Sequence, residues 1–159
     1  MLELRIAGRD FGQPVLGEIF VGIERGDRIC LMGPSGIGKT TLLNAIAGLD
    51  KSIPESAVLG REVLRVGYLF QEHRLLPWKS LMSNLRLVGA SKREAEELLM
   101  QVGLAGYGAY LPDQLSLGMA RRAALARCLA VNRELLLLDE PFASLDPIMV
   151  TELKALVSG

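Results

Sequence analysis

The octapeptide Gly33-Pro34-Ser35-Gly36-Ile37-Gly38-Lys39-Thr40 constrains this chain more than any other stretch. It fits the spacing G-x-x-x-x-G-K-[ST], with an apolar run at 28–32 before it and a helix-patterned run at 39–47 after it. Residues 28–32 read as a short buried strand ending at Gly33. Residues 39–47 read as a helix with Leu42, Leu43 and Ile46 on one face and Gly48 as its stop. Glycines at these positions let the backbone curl so that successive N–H groups point inward, and the following helix N-terminus adds its partial positive charge. That arrangement cradles phosphate. Lys39 then reaches the β- and γ-phosphates, and the Thr40 hydroxyl is placed to ligate Mg²⁺. The plain alternative is a glycine-rich turn joining strand to helix, and eight matching residues in that context weigh against it.

An acid that holds the metal is the next requirement, and Leu135-Leu136-Leu137-Leu138-Asp139-Glu140 meets it. Four leucines read as a central parallel strand covered on both faces, delivering carboxylates at its C-terminal end. Asp139 would bind Mg²⁺ through water, and Glu140 is placed to polarise an attacking water as general base. Between the two motifs, 65–70 is strand-like, and Ser91-Lys92-Arg93-Glu94 is a capping box opening a helix that runs to about Val102. Residues 118–131 read as an Ala/Leu-rich helix. Strands alternating with helices imply an α/β fold with a mainly parallel sheet.

Composition narrows the partners. With 159 residues, half of them hydrophobic, the chain can bury the core of one domain. Eighteen Lys+Arg balance eighteen Asp+Glu, which argues against nucleic acid held through phosphate charge. Aromatics at 5% argue against a base-stacking platform as well. Cys30 and Cys128 form no CxxC pair and read as buried free thiols of a reducing compartment. Met1-Leu2-Glu3-Leu4-Arg5 carries charges where a signal peptide needs an apolar core, and no apolar run reaches membrane-spanning length. These features predict a cytoplasmic chain without direct membrane insertion.

Leu115-Ser116-Leu117-Gly118-Met119, followed by Ala120-Arg121-Arg122-Ala123-Ala124-Leu125-Ala126-Arg127, resembles the signature motif and following helix of the ATP-binding cassette (ABC) ATPases. Gln71 in Leu69-Phe70-Gln71-Glu72 resembles the family's Q-loop glutamine, and Ser144-Leu145-Asp146 its D-loop. The resemblance covers essentially the whole chain. It implies a P-loop NTPase fold with an N-terminal antiparallel β part and a helical subdomain, about 72–130, carrying the signature motif. It further implies an ATPase that powers transport, with ATP and Mg²⁺ as cofactors. Partners would be a second cassette subunit, as a homodimer or a pair, and separate transmembrane permease subunits at the inner face of the cell membrane. Gly33, Pro34, Ser35, Gly36, Ile37, Gly38, Lys39, Thr40 and Thr41 would hold the nucleotide. Ser116 and Gly118 would meet the partner's γ-phosphate across a head-to-tail interface with Asp146 beside it. Gln71 would ligand Mg²⁺ or the attacking water. Phe11 resembles the aromatic that stacks on adenine; an ordinary buried phenylalanine beside a turn is its alternative.

The segment after Gln71 faces the membrane partner in this family. Trp78 with Leu75 and Leu76 reads either as a docking patch for a permease helix or as local core. His73, the single histidine, reads as a surface-loop residue because no Cys/His cluster surrounds it. Arg121, Arg122 and Arg127 read as a solvated helix face. The wording around Gln71 is similar to nitrate, sulfonate and taurine importers, and that of the signature helix also to phospholipid-trafficking cassettes, so cargo stays open.

Two departures qualify the resemblance. Leu117 stands where the motif usually has Gly, and its side chain is expected to crowd the backbone's approach to the partner's phosphate. Only Pro147 to Gly159 follow Asp146, without the family's switch histidine. The expectation is a cassette lacking its last strand, with residues 149–157 as one more helix, that binds ATP and turns it over poorly alone. A nucleotide-binding module without useful turnover is the competing reading. A P-loop GTPase is excluded by the lack of an Asn-Lys-x-Asp reader. A small P-loop kinase is disfavoured by the Leu-Ser-x-Gly run. A chromosome-maintenance cassette would need a long insertion between Lys39 and Asp139, for which there is no room.

Overall fold

The computed structural model describes residues 2–6, 9–10, 14–16, 19–50, 58–60 and 64–141. The chain divides into two compact units, Met1–Val66 and Gly67–Gly159. In the first unit, β1 (Leu2–Ile6) pairs antiparallel with β4 (Ile19–Ile23), Leu2 opposite Ile23 and Ile6 opposite Ile19. Its other edge pairs antiparallel with β5 (Val58–Leu59). A small antiparallel pair, β2 (Arg9–Asp10) with β3 (Pro14–Leu16), lies between them in sequence. The antiparallel N-terminal part implied by the resemblance is therefore present.

Helix α1 (Lys39–Ala47) has the predicted bounds, with Leu42, Leu43, Ala45 and Ile46 buried. Gly48 ends it at φ 70, a left-handed conformation that only glycine adopts without strain. The strand expected at 28–32 does not form. That stretch is exposed and unladdered, with Met32 at 89% exposure and Cys30 on the surface rather than buried. Strand preference is mostly packing and pairing, and among the described residues no strand lies against this segment.

The second unit builds a continuous core. Strand β6 (Val66–Leu69) pairs with β7 (Leu135–Leu138). The Asp139 amide just past β7 donates to the Leu69 carbonyl at 2.9 Å, so both C-terminal ends lie side by side and the pair is parallel. Only Leu137 of the four leucines is fully buried; the other three are half-buried rather than covered on both faces as expected. Helices α2 (Leu81–Arg86), α3 (Lys92–Gln101) and α4 (Leu117–Ala130) pack around Leu81, Leu85, Leu99, Leu104 and Leu125.

Local chemistry explains these helix boundaries. Ser91 Oγ accepts from the Glu94 amide at 3.2 Å while Glu94 Oε2 accepts from the Ser91 amide at 2.8 Å, the predicted capping box. Those bonds hold the Glu94 carboxyl below its usual value. Alanines at 120, 123, 124 and 126 bury the inner face of α4 and let it approach its neighbours closely.

Candidate functional site

The described residues among those the sequence singles out fall into three groups, one in the first unit and two in the second. The first is the loop before α1. Gly33, Gly36 and Gly38 stand at φ 154, 80 and 101, all in the region that favours glycine. A Cβ at Gly33 would lie 3.1 Å from Ile37 Cγ2, so the loop is tight as well as left-handed. Lys39 Nζ turns back and donates to the carbonyls of Gly33 and Pro34, both at 2.8 Å. The ammonium thus spans the ring that the backbone makes. Helix α1 starts at Gly38 with no side-chain cap and no acid in its first turn, so no carboxylate of that turn offsets its positive end. Ile37 and Thr40 are exposed and Thr41 is half-buried.

The second group sits where β6 and β7 end. Asp139 is 4% exposed, and Glu140 next to it is on the surface. Gln71, just beyond β6, donates from Nε2 to Glu140 Oε2 at 3.3 Å, bringing together two residues far apart in sequence. Glu140 holds φ 50 and Arg74 φ 43, so two non-glycine residues in a strained region flank this contact. Tyr68 stacks on Phe70 with centroids 4.1 Å apart, and the Arg74 guanidinium lies 4.0 Å over the Phe70 ring. Burial pushes the Tyr68 phenol up to about 12, and the Asp139 charge adds to that shift.

The third group is the start of α4. Ser116 is its N-cap, exposed, with Oγ accepting from the Met119 amide at 3.2 Å. Leu117 is exposed, so its side chain stands on the surface that the motif presents. Nothing lies within 4 Å of a Cβ built on Gly118. Phe11, Ser144, Leu145, Asp146 and the helix expected at 149–157 lie outside the described residues.

Two expectations, for Arg127 and Arg122, are corrected by side-chain contacts. Arg127 is not on a solvated face: its Nη1 donates to the Arg74 carbonyl at 2.8 Å and its Nη2 to the His73 carbonyl at 3.2 Å. Burial lowers its basicity. Arg122 similarly donates to the Val102 and Gly103 carbonyls. Leu75 belongs to the core, whereas Trp78 is 70% exposed, so the apolar trio after Gln71 is split. Asn84, which sequence reasoning missed, is 1% exposed and grips the same segment. Its Oδ1 accepts from the Leu76 amide, and its Nδ2 donates to the Leu76, Lys79 and Ser80 carbonyls. The only hint in the sequence is an asparagine among leucines four residues after Ser80, the N-cap of α2. His73 Nδ1 accepts from the Leu75 amide, a loop role as expected.

A glycine-rich loop closed by lysine ahead of a helix, and acids at the end of a parallel strand, are elements of the P-loop NTPase fold. The sequence profile of the family described as ABC transporter matches residues 16–143, and the chain belongs to that family. It is 44% identical over 167 residues to an aliphatic sulfonates import ATP-binding protein, SsuB 2, of Burkholderia cenocepacia (strain HI2424). It is 40% identical over 161 residues to the taurine import ATP-binding protein TauB of Yersinia pestis bv. Antiqua. These matches cover 99% and 92% of this chain, which spans 62% of the length of each relative. Among solved structures, the dimeric bacterial ABC transporter cassette MJ0796 is similar at TM-score 0.85 and 26% identity, over 99% of this chain and 81% of that one. The same cassette in a post-hydrolysis dimer bound to ADP and Pi is similar at TM-score 0.83 and 27% identity, with the same coverage. The fold is that of ABC ATPase cassettes. No helix among the described residues is long and apolar enough to cross a membrane.

Proposed function

We propose that this chain binds and hydrolyses ATP as the nucleotide-binding subunit of an importer for small sulfonates, the cargo class in the names of its relatives. The observation that carries the reading is the loop closed by Lys39, whose ammonium bridges two loop carbonyls ahead of an uncapped helix N-terminus. Phosphates entering that ring meet inward N–H groups and a positive charge already in place. Helical residues from about 72 to 130 form the subdomain that presents the signature motif. The chain acts in a head-to-tail pair, with Ser116 and Gly118 of one copy toward the nucleotide of the other and Asp146 beside them. It works at the inner face of the membrane through separate permease subunits.

In this mechanism Lys39 binds the terminal phosphates and Glu140 takes the proton of the attacking water. Gln71, hydrogen-bonded to Glu140, orients that water. Asp139, a buried carboxylate at a strand end, and the Thr40 hydroxyl are the hard oxygen donors that suit Mg²⁺, with Gln71 as a further oxygen donor. When bound, the ion would neutralise charge on the phosphates.

Titration calorimetry with MgATP and a phosphate-release assay test the reading. Lys39→Ala is expected to lose binding. Glu140→Gln is expected to keep binding and lower turnover about 10²-fold or more. An intact chain that takes up no ATP refutes the reading. Binding with turnover indifferent to Glu140→Gln makes the chain a nucleotide-binding module instead.

A further inference from the structure

We propose that Arg127 is a positioning residue for Gln71: its guanidinium ties helix α4 to the turn that follows Gln71 and so holds that glutamine against Glu140. This rests on the hydrolytic reading above. Arg127 lies on the last turns of the helix that begins at Ser116, yet both its amino groups are spent on backbone carbonyls two and three residues beyond Gln71. A third bond, to Asn84 Oδ1 at 3.4 Å, joins it to the buried amide that fixes Leu76, Lys79 and Ser80. The planar guanidinium can serve several acceptors at once, which an ammonium on a flexible stem does not do in fixed geometry.

The turn needs such a hold. Arg74 sits at φ 43, a conformation that persists only where surrounding contacts over-determine it, and the carbonyl that Arg127 takes most closely is that of Arg74. Released, Arg74 would relax toward negative φ. A backbone change three residues from Gln71 is enough to move its amide off Glu140, because their 3.3 Å contact is already near the limit of a hydrogen bond. Displacements of this size cost catalysis steeply while leaving ligand binding elsewhere untouched.

Helix α4 supplies its own control. Arg122 also donates to two backbone carbonyls, but those of Val102 and Gly103, at the end of α3. Arg127→Ala and Arg122→Ala therefore remove comparable bonds from one helix at different places. In the full chain, Arg127→Ala is expected to lower kcat for ATP about tenfold or more with KM within about twofold. Arg127→Lys should recover part of the loss, and Arg122→Ala should leave kcat near that of the unmutated chain. Equal loss of kcat in both alanine variants, or none in Arg127→Ala, overturns the proposal. Amide hydrogen exchange gives a readout independent of turnover: Arg127→Ala should speed exchange at Leu75 and Leu76 about tenfold or more while the α4 amides stay protected. Unchanged exchange there overturns the proposal even if the chain proves to hydrolyse no ATP. Faster exchange in an inactive chain supports the hold on the turn while refuting the hydrolytic reading.

Discussion

Gly67→Ala is a small change with a calculable cost. A Cβ built on Gly67 would lie 2.8 Å from Arg133 Cδ, 3.2 Å from the Cys128 carbonyl oxygen and 3.5 Å from Leu136 Cδ1. Carbon atoms pack best at about 3.5–4.0 Å, so the Arg133 side chain must withdraw by most of an ångström. It is not free to do so without loss, because its Nη1 donates to the Leu129 carbonyl at 2.6 Å and the Val131 carbonyl at 3.3 Å, closing the C-terminal end of α4. Bonds from a charged donor contribute about 1.5–3 kcal/mol. Alanine returns about 0.5–1 kcal/mol over glycine within a strand. The net expectation is a loss of about 1–2 kcal/mol, hence a melting temperature lower by roughly 2–8 °C for a domain of this size. Urea unfolding followed by the fluorescence of Trp78, the single tryptophan, measures it. In an Arg133→Ala background the same substitution should cost almost nothing, because its obstacle is gone, so the double-mutant cycle should be strongly non-additive. Equal cost in both backgrounds would refute the reasoning and assign the strain to the Cys128 carbonyl instead.

A substitution at Ser116 and a thiol probe test two further features. Ser116→Asp keeps a good N-cap for α4, so unfolding free energy should stay within about 0.5 kcal/mol, while the added charge should abolish ATP-driven pairing measured by sedimentation in a Glu140→Gln background. Pairing that survives the aspartate would show that Ser116 does not face the partner's phosphate. For the cysteines, a thiol reagent at neutral pH should label Cys30 at once and Cys128 only after unfolding, since burial pushes the Cys128 thiol up to about 12. Two fast thiols in the folded chain would contradict the packing of α4.

The features legible in the sequence were those written in neighbouring residues. The glycine loop, the Ser91/Glu94 capping box and the bounds of α4 depend on positions within one or two turns, and the structure places them within about a residue of expectation. Strand 28–32 failed for the opposite reason: its apolar residues qualify it, but a strand exists only through a partner that local pattern does not name. Helix α2, at six residues, is too short for periodicity to register. Arg127 and Asn84 were illegible because their partners are remote: Arg127 reaches across 53 and 54 positions to its carbonyls. On a helix wheel an arginine at that place is indistinguishable from a solvated one.

The N-termini of α1 and α4 are built differently, and the difference bears on what each can do. Helix α1 begins at a glycine, with no side chain on its first-turn donors, and adds the Lys39 ammonium. It is suited to gripping several phosphate oxygens whatever the nucleotide. Helix α4 begins at Ser116, whose oxygen is already engaged by the Met119 amide. A hydroxyl has one proton and two lone pairs, so that bond fixes the oxygen and leaves its proton to donate outward. One oriented hydroxyl adds little to overall affinity but depends sharply on where a single acceptor stands. On the proposed function, tight binding would reside in the Lys39 loop and discrimination between tri- and diphosphate at the start of α4. A chain of zero net formal charge can hold a polyanion on these terms, because the attraction is local to the loop and not a property of its surface.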